Sequence, residues 1–216
     1  MNISHIRLIP LFYWLLALCY IIAASFYHYP LQAIHKAAPI LFLAIMTIKG
    51  PKGRIRLWLT LALIASATGD ILLASALHNR FIFGLMAFAI AHLCYAIGFI
   101  PWAKITQRNL LRTLPLIGIL VIILYVVLPQ TAQLKLPVIV YMLIISAMAL
   151  LAIFAQTHGL YLLSGAYLFV ISDSLIALNK FVIALPAEHL LVMSTYYVAQ
   201  YCLFTGCMKQ EKTHVI

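Results

Sequence analysis

Eight apolar runs, each close to the length that crosses a bilayer, leave this chain very little freedom in what it folds into. They cover about Leu8 to Tyr27, Leu31 to Ile48, Leu57 to Leu77, Phe81 to Ile100, Leu114 to Leu128, Pro137 to Phe154, Leu160 to Leu178, and Leu190 to Met208. A helix rising 1.5 Å per residue needs about 20 such residues to span a hydrocarbon core of ~30 Å. Turn and breaker residues separate the runs: Pro30, Gly50-Pro51, Pro101, Pro129, Pro137, Gly159 and Pro186. Barrel strands are excluded, because nothing alternates with period two. With 66% hydrophobic and 8% charged residues, the chain lacks the polar surface a soluble globule needs. The expected fold class is therefore all-α, a polytopic membrane protein of eight transmembrane helices. It forms one integral membrane domain over residues 1–216. The first apolar run is too long for a signal-peptide core, and no small-residue cleavage site follows it.

The net charge of +10 sits in the short connections, which excludes a nucleic-acid surface and instead sets orientation. Eight spans put both termini on one side. That side holds ten basic residues: Arg7, Lys49, Lys52, Arg54, Arg56, Lys104, Arg108, Arg112, Lys209 and Lys212. The other side holds three, Arg80, Lys135 and Lys180. Positive charge collects on the cytoplasmic face, so both termini are expected in the cytoplasm, and the membrane is the inner (plasma) membrane if the protein is bacterial. The stretch Lys49 to Arg56 reads as part of that signal, with contact to anionic lipid heads as a second reading. Cys19, Cys94, Cys202 and Cys207 lie in apolar runs without metal-ligand spacing and read as buried hydrophobes.

Only four acidic residues exist, and two of them, Asp70 and Asp173, lie inside membrane-length runs. An ionisable group there costs roughly 2.5–3.5 kcal/mol on insertion scales and marks a functional site by default. Counting back from the span ends, Asp70 lies about 10 Å and Asp173 about 7–8 Å below the outer edge. Lys36, Tyr196 and Tyr197 fall at similar depth, with His92 and Tyr95 nearer the midplane. The polar groups thus crowd into one layer. The two aspartates are about half the chain apart on helices running the same way, which fits two parallel four-helix halves. Two close carboxyls can share one proton, leaving a neutral acid beside an ionised partner, the split that general acid–base chemistry uses. The bland reading is that each aspartate binds a hydroxyl or Lys36 and holds helices together. A direct contact with Lys36 favours that structural reading. Lys36 either snorkels to the interface, anchors a phosphate or tunes an aspartate. Tyr196 and Gln200 share a helix face, as do Tyr197 and Tyr201. No zinc-site spacing, Gly-rich phosphate loop or Gly-x-Ser-x-Gly elbow occurs, which argues against metallohydrolase or serine hydrolase chemistry. No cofactor or metal is expected.

Lys36-x-x-Pro39, Gly69-Asp70, Ala91-His92-x-x-Tyr95, Ser172-Asp173-Ser174 with Asn179-x-Phe181, and Thr195-Tyr196-Tyr197-x-Ala199-Gln200 together resemble the YhhN-like lysoplasmalogenase family. The resemblance covers spans two to four and seven to eight. It implies an eight-helix membrane enzyme that cleaves the vinyl ether bond of a lysoplasmalogen to a fatty aldehyde and a glycerophospho-choline or -ethanolamine. It also implies Asp70 and Asp173 as the catalytic pair; which of them is acid and which base stays open, with Asp173 as acid and Asp70 as base the order taken here. Lys36, His92, Tyr95, Asn179, Tyr196, Tyr197 and Gln200 are then the expected substrate-binding residues. The expected partners are a lysophospholipid with an alkenyl chain and the bilayer itself, with no nucleic acid and no required protein partner. Proton-coupled transport through paired aspartates is the alternative, and a scaffold with structural aspartates is a third reading.

Overall fold

A computed structural model describes residues 3–27, 29–50, 53–155 and 160–214. The expected loop residues Pro51, Lys52 and Gly159, and the side chains of Arg7 and Lys212, lie outside what it describes. The described residues form eight long helices and no strand: α1 (Ile3–Phe26), α2 (Gln32–Ile48), α3 (Arg54–Ala74), α4 (Arg80–Phe99), α5 (Gln107–Val127), α6 (Lys135–Phe154), α7 (Tyr161–Phe181) and α8 (Glu188–His214). Each expected run is one helix. The ends differ where polarity and helicity part company. α3 stops at Ala74, three residues short of Leu77, because Ser75 turns extended and its hydroxyl bonds to the Leu72 carbonyl. α7 continues through Asn179 and Lys180 to Phe181, since polar residues end an apolar run without breaking a helix. α5 begins at Gln107, where the Thr106 side chain accepts the Asn109 N–H at 3.2 Å, an N-cap that precedes the apolar stretch.

Six of these helices are long and apolar enough to cross a membrane. α2 has 17 residues, at the short end of the range. α8 is diluted by Tyr196, Tyr197 and Gln200, all of which are buried against other helices. Much of the apolar surface points outward instead. Leu11, Leu15, Leu18 and Ile22 on α1 are exposed, as are Leu114, Ile117, Val121 and Ile122 on α5. A soluble monomer rarely shows contiguous apolar faces of that extent, whereas a lipid-facing helix needs them.

The most extensive helix pairs are α3 with α4 and α7 with α8, followed by α2 with α3. Glycine makes the first two close. A Cβ on Gly69 would stand 2.7 Å from the Phe88 ring, and one on Gly165 would stand 2.8 Å from the Leu203 side chain. Small residues let helices approach without a hydrophobic drive between them. One end of the bundle carries the α4–α5 and α6–α7 connections, tied by the Lys104 N–H to the Phe154 carbonyl at 2.8 Å. The other end carries the starts of α2, α4 and α8 and the ends of α3 and α7, and the polar layer sits just below it.

Candidate functional site

Asp70 and Asp173 occupy two separate polar clusters built on one plan. Lys36 Nζ lies 3.5 Å from Asp70 Oδ1, and the Tyr196 hydroxyl donates to Oδ2 at 2.7 Å. The Tyr141 hydroxyl donates to Asp173 Oδ2, and His92 Nε2 lies 3.3 Å from the same oxygen and 3.0 Å from the Tyr141 hydroxyl. Each aspartate stands on the third helix of its half of the chain. Each takes one partner from the second helix of its own half, Lys36 or Tyr141. Each takes the other from the fourth helix of the opposite half, Tyr196 or His92. Asp70 to Asp173 is 103 residues, Lys36 to Tyr141 is 105, and His92 to Tyr196 is 104.

The two clusters differ in charge and access. Asp70 is 1% exposed, with an oxygen on Lys36 and the other on Tyr196. That is a satisfied, buried ion pair, in the direct contact that favours a structural role for this aspartate. Asp173 has donors without a fixed cation, and both converge on Oδ2. The Tyr141 proton points to the carboxyl, so the tyrosine oxygen accepts from His92. The tautomer with hydrogen on Nε2 satisfies this chain and leaves Nδ1 buried without a partner. Among the described residues no donor reaches Asp173 Oδ1, and this side chain is 12% exposed. Between the clusters stand Phe88, Phe169 and Tyr196. Phe169 meets His92 edge-on at 4.6 Å and Tyr196 at 5.5 Å. No hydrogen bond joins the two carboxyls.

Asp173 opens into a small cavity of about 50 Å³ between α3, α4, α5, α6 and α7. Its walls are apolar, including Leu85, Phe88, Val138, Ile145, Val170 and Ile176, and Asp173 is the only ionisable carboxyl among them. Few polar groups stand on this apolar wall, the lining pattern of small-molecule sites. A second cavity, of about 330 Å³, lies at the adjoining end of the bundle. It is polar, with Gln32, Lys36, Arg80, Lys180, Glu188 and His189 on its walls, and it shares Leu73, Phe81 and Ile176 with the first. Among the described residues no group of three potential metal ligands forms.

The remaining expected binding residues serve the protein itself. The Tyr95 hydroxyl donates to Gln200 Oε1 at 2.5 Å. The Tyr197 hydroxyl donates to the Lys36 carbonyl at 2.8 Å, beside Pro39, through which α2 runs as a single helix. Asn179 Oδ1 accepts the Leu185 N–H at 2.9 Å and pins the α7–α8 connection. None of these four lines either cavity. Lys36, Asp70, His92, Asp173 and Tyr196 do belong to the two clusters. Tyr141 does too, and composition alone had not marked it, since one tyrosine in an apolar run looks like packing. The repeat interval would have found it, because Lys36 advanced by the aspartate spacing falls two residues short of it.

Residues 31–207 match the model of the YhhN family. The chain is 33% identical over 185 residues to a lysoplasmalogenase of Mycobacterium bovis, which covers 83% of this chain and 71% of that one. It is 34% identical over 188 residues to lysoplasmalogenase TMEM86B of Mus musculus, covering 85% and 79%, and 35% identical over 182 residues to the human protein of the same name, covering 82% and 75%. No solved structure matches it.

Proposed function

The chain belongs to the YhhN family, and from that premise we propose that it is a membrane-embedded lysoplasmalogen hydrolase in which Asp173 protonates the vinyl ether. The observation that carries the assignment is the placement of one incompletely bonded carboxyl oxygen, Asp173 Oδ1, on the wall of an apolar cavity. The alkenyl chain lies in that cavity. With Tyr141 donating to Oδ2 and the single His92 Nε2–H shared between that oxygen and the Tyr141 hydroxyl, the acid proton resides on Oδ1, toward the chain.

The reaction then needs no metal or covalent intermediate. Asp173 gives its proton to the β-carbon of the vinyl ether, and the electron pair of the double bond forms the new C–H bond. The positive charge that results is shared between the α-carbon and the ether oxygen as an oxocarbenium ion. The carboxylate just formed lies beside it and stabilises it. Water adds to the α-carbon as Asp173 takes one of its protons, which regenerates the acid. The hemiacetal collapses to the aldehyde and the glycerol hydroxyl. A carboxyl flanking an oxocarbenium ion and then activating water follows the logic of the glycosidases. Tyr141 and His92 orient the carboxyl and take up the charge it acquires on Oδ2. Asp70 does not touch substrate in this account. It holds Lys36 and Tyr196 in place behind the aromatic wall.

All eight helices cross the bilayer, with both termini in the cytoplasm, and the matched clusters reflect two parallel halves. α2 suffices at 17 residues when flanking polar groups reach the interface, and the polar residues of α8 are turned to the interior. The test is aldehyde release from a lysoplasmalogen by the protein purified in detergent. Wild type releases aldehyde, and Asp173→Asn releases none while melting at a similar temperature. Full activity in Asp173→Asn removes the assignment.

A further inference from the structure

Three charged side chains in the polar cavity have no role in the account so far. Arg80, Lys180 and Glu188 all line it. None forms an ion pair with another described residue, whereas Lys36 in the same cavity is already neutralised by Asp70. Lys180 lies over the ring of Phe81, 5.5 Å from its centroid, and Phe81 belongs to the walls of both cavities. Arg80 Nη1 stands 3.4 Å from the Ser75 carbonyl, at the start of α4, where the helix dipole adds positive potential. Two cations without an ion-pair partner among the described residues therefore stand at the boundary between a polar chamber and the apolar cavity that holds Asp173.

Resting on the hydrolase reading, we infer that Arg80 and Lys180 form the subsite for the phosphodiester of the bound lipid, with Glu188 facing its ammonium group. The spacing along α7 fits. Asp173, Ile176 and Lys180 follow one another at three and four residues, so they share a face, and the lysine stands about 10 Å along the axis from the aspartate. Five bonds separate the vinyl ether oxygen of a glycerophospholipid from its phosphorus, roughly 6–7 Å when extended. The flexible lysine stem covers the remainder. A lipid anchored there by phosphate places its ether at Asp173 and its chain beyond. Phosphate recognition thus passes from Lys36, whose charge is already paired, to two residues that look like mere orientation signals in the sequence. Glu188 opens the α8 end of the same chamber, so the chamber carries both signs of charge. That pattern matches a zwitterionic head better than a purely anionic one.

Binding of non-cleavable 1-O-alkyl ligands to the purified full chain tests this, read by tryptophan fluorescence and checked by ligand-dependent melting. A phosphoethanolamine ether, a phosphoglycerol ether and a phosphate-free alkylglycerol are compared. Arg80→Gln and Lys180→Gln are each expected to raise Kd for the phosphoethanolamine ether about tenfold, the scale of one charged hydrogen bond, and to change alkylglycerol binding less than about twofold. Glu188→Gln is expected to weaken the phosphoethanolamine ether selectively over the phosphoglycerol ether. Equal losses for the phosphate-bearing and phosphate-free ligands overturn the subsite, because the residues then only shape the bundle. No loss for any ligand also overturns it, because the cations then serve the bilayer surface. Aldehyde release is measured on the same preparations. Selective binding without cleavage defeats the hydrolase reading and leaves the subsite standing; cleavage without phosphate selectivity does the reverse.

Discussion

Replacing Lys36 by methionine separates the two aspartates experimentally. The substitution keeps most of the side-chain volume and removes the ammonium 3.5 Å from Asp70 Oδ1. Asp70 is 1% exposed and keeps only the Tyr196 bond on Oδ2. Removing one partner of a buried pair costs about 3–5 kcal/mol, because a charge stays behind without compensation. For a domain of this size, a shift of about 2–4 °C per kcal/mol puts the loss in melting temperature at roughly 6–20 °C. Adding Asp70→Leu to Lys36→Met removes the stranded charge, so the double variant is expected to melt within about 5 °C of wild type. The assay is a double-mutant cycle on melting temperature and on aldehyde release, in one detergent. In this account Asp70 acts through Lys36 and Tyr196, so the double variant recovers activity to at least about a tenth of wild type, a loss near 1.4 kcal/mol. A double variant that regains stability and remains as inactive as Asp173→Asn refutes the reasoning. Asp70 would then take part in the chemistry itself.

Other outcomes follow from the same geometry. Tyr141→Phe removes one donor to Asp173 Oδ2 and is expected to lower kcat about 10–100-fold with little change in KM, measured by steady-state aldehyde release. Ile145→Trp fills the apolar cavity and is expected to lower kcat/KM for long alkenyl chains more than for short ones in a chain-length series, whereas a uniform loss would place the chain elsewhere. His92→Leu strips the second donor and leaves Tyr141 to hold the carboxyl alone, so it is expected to slow the reaction less than Asp173→Asn and to compound less than additively with Tyr141→Phe.

The sequence located helices well because burial in lipid demands that every backbone group be satisfied within its own segment. It singled out Asp70, Asp173, Lys36 and His92 because an ionisable side chain in an apolar run is costly and needs a partner. It did not separate working tyrosines from packing ones. Tyr196 bonds an aspartate while Tyr197, its neighbour, bonds a backbone carbonyl, and one residue of helical rotation decides between them. Tyr141 carries no charge, so its role emerged only when α6 was set against α4 and α7. Arg80 and Lys180 read as flanking charges in the sequence, which does not display the chamber they face. The weak repeat was more informative than its composition implied. Its interval recurs in the partners of both aspartates, yet the partners diverged, a cation on one side and neutral donors on the other.

In the proposed reaction Asp173 delivers a proton to carbon within the apolar cavity. Hydrolysis of a lysoplasmalogen in D2O, with the aldehyde reduced to the alcohol as it forms, reads that step directly. The account predicts one deuterium on the carbon next to the former carbonyl, in a single configuration, because the donor stands on one side of the bound chain. Product without deuterium at that carbon, or with both configurations in equal amounts, would contradict it.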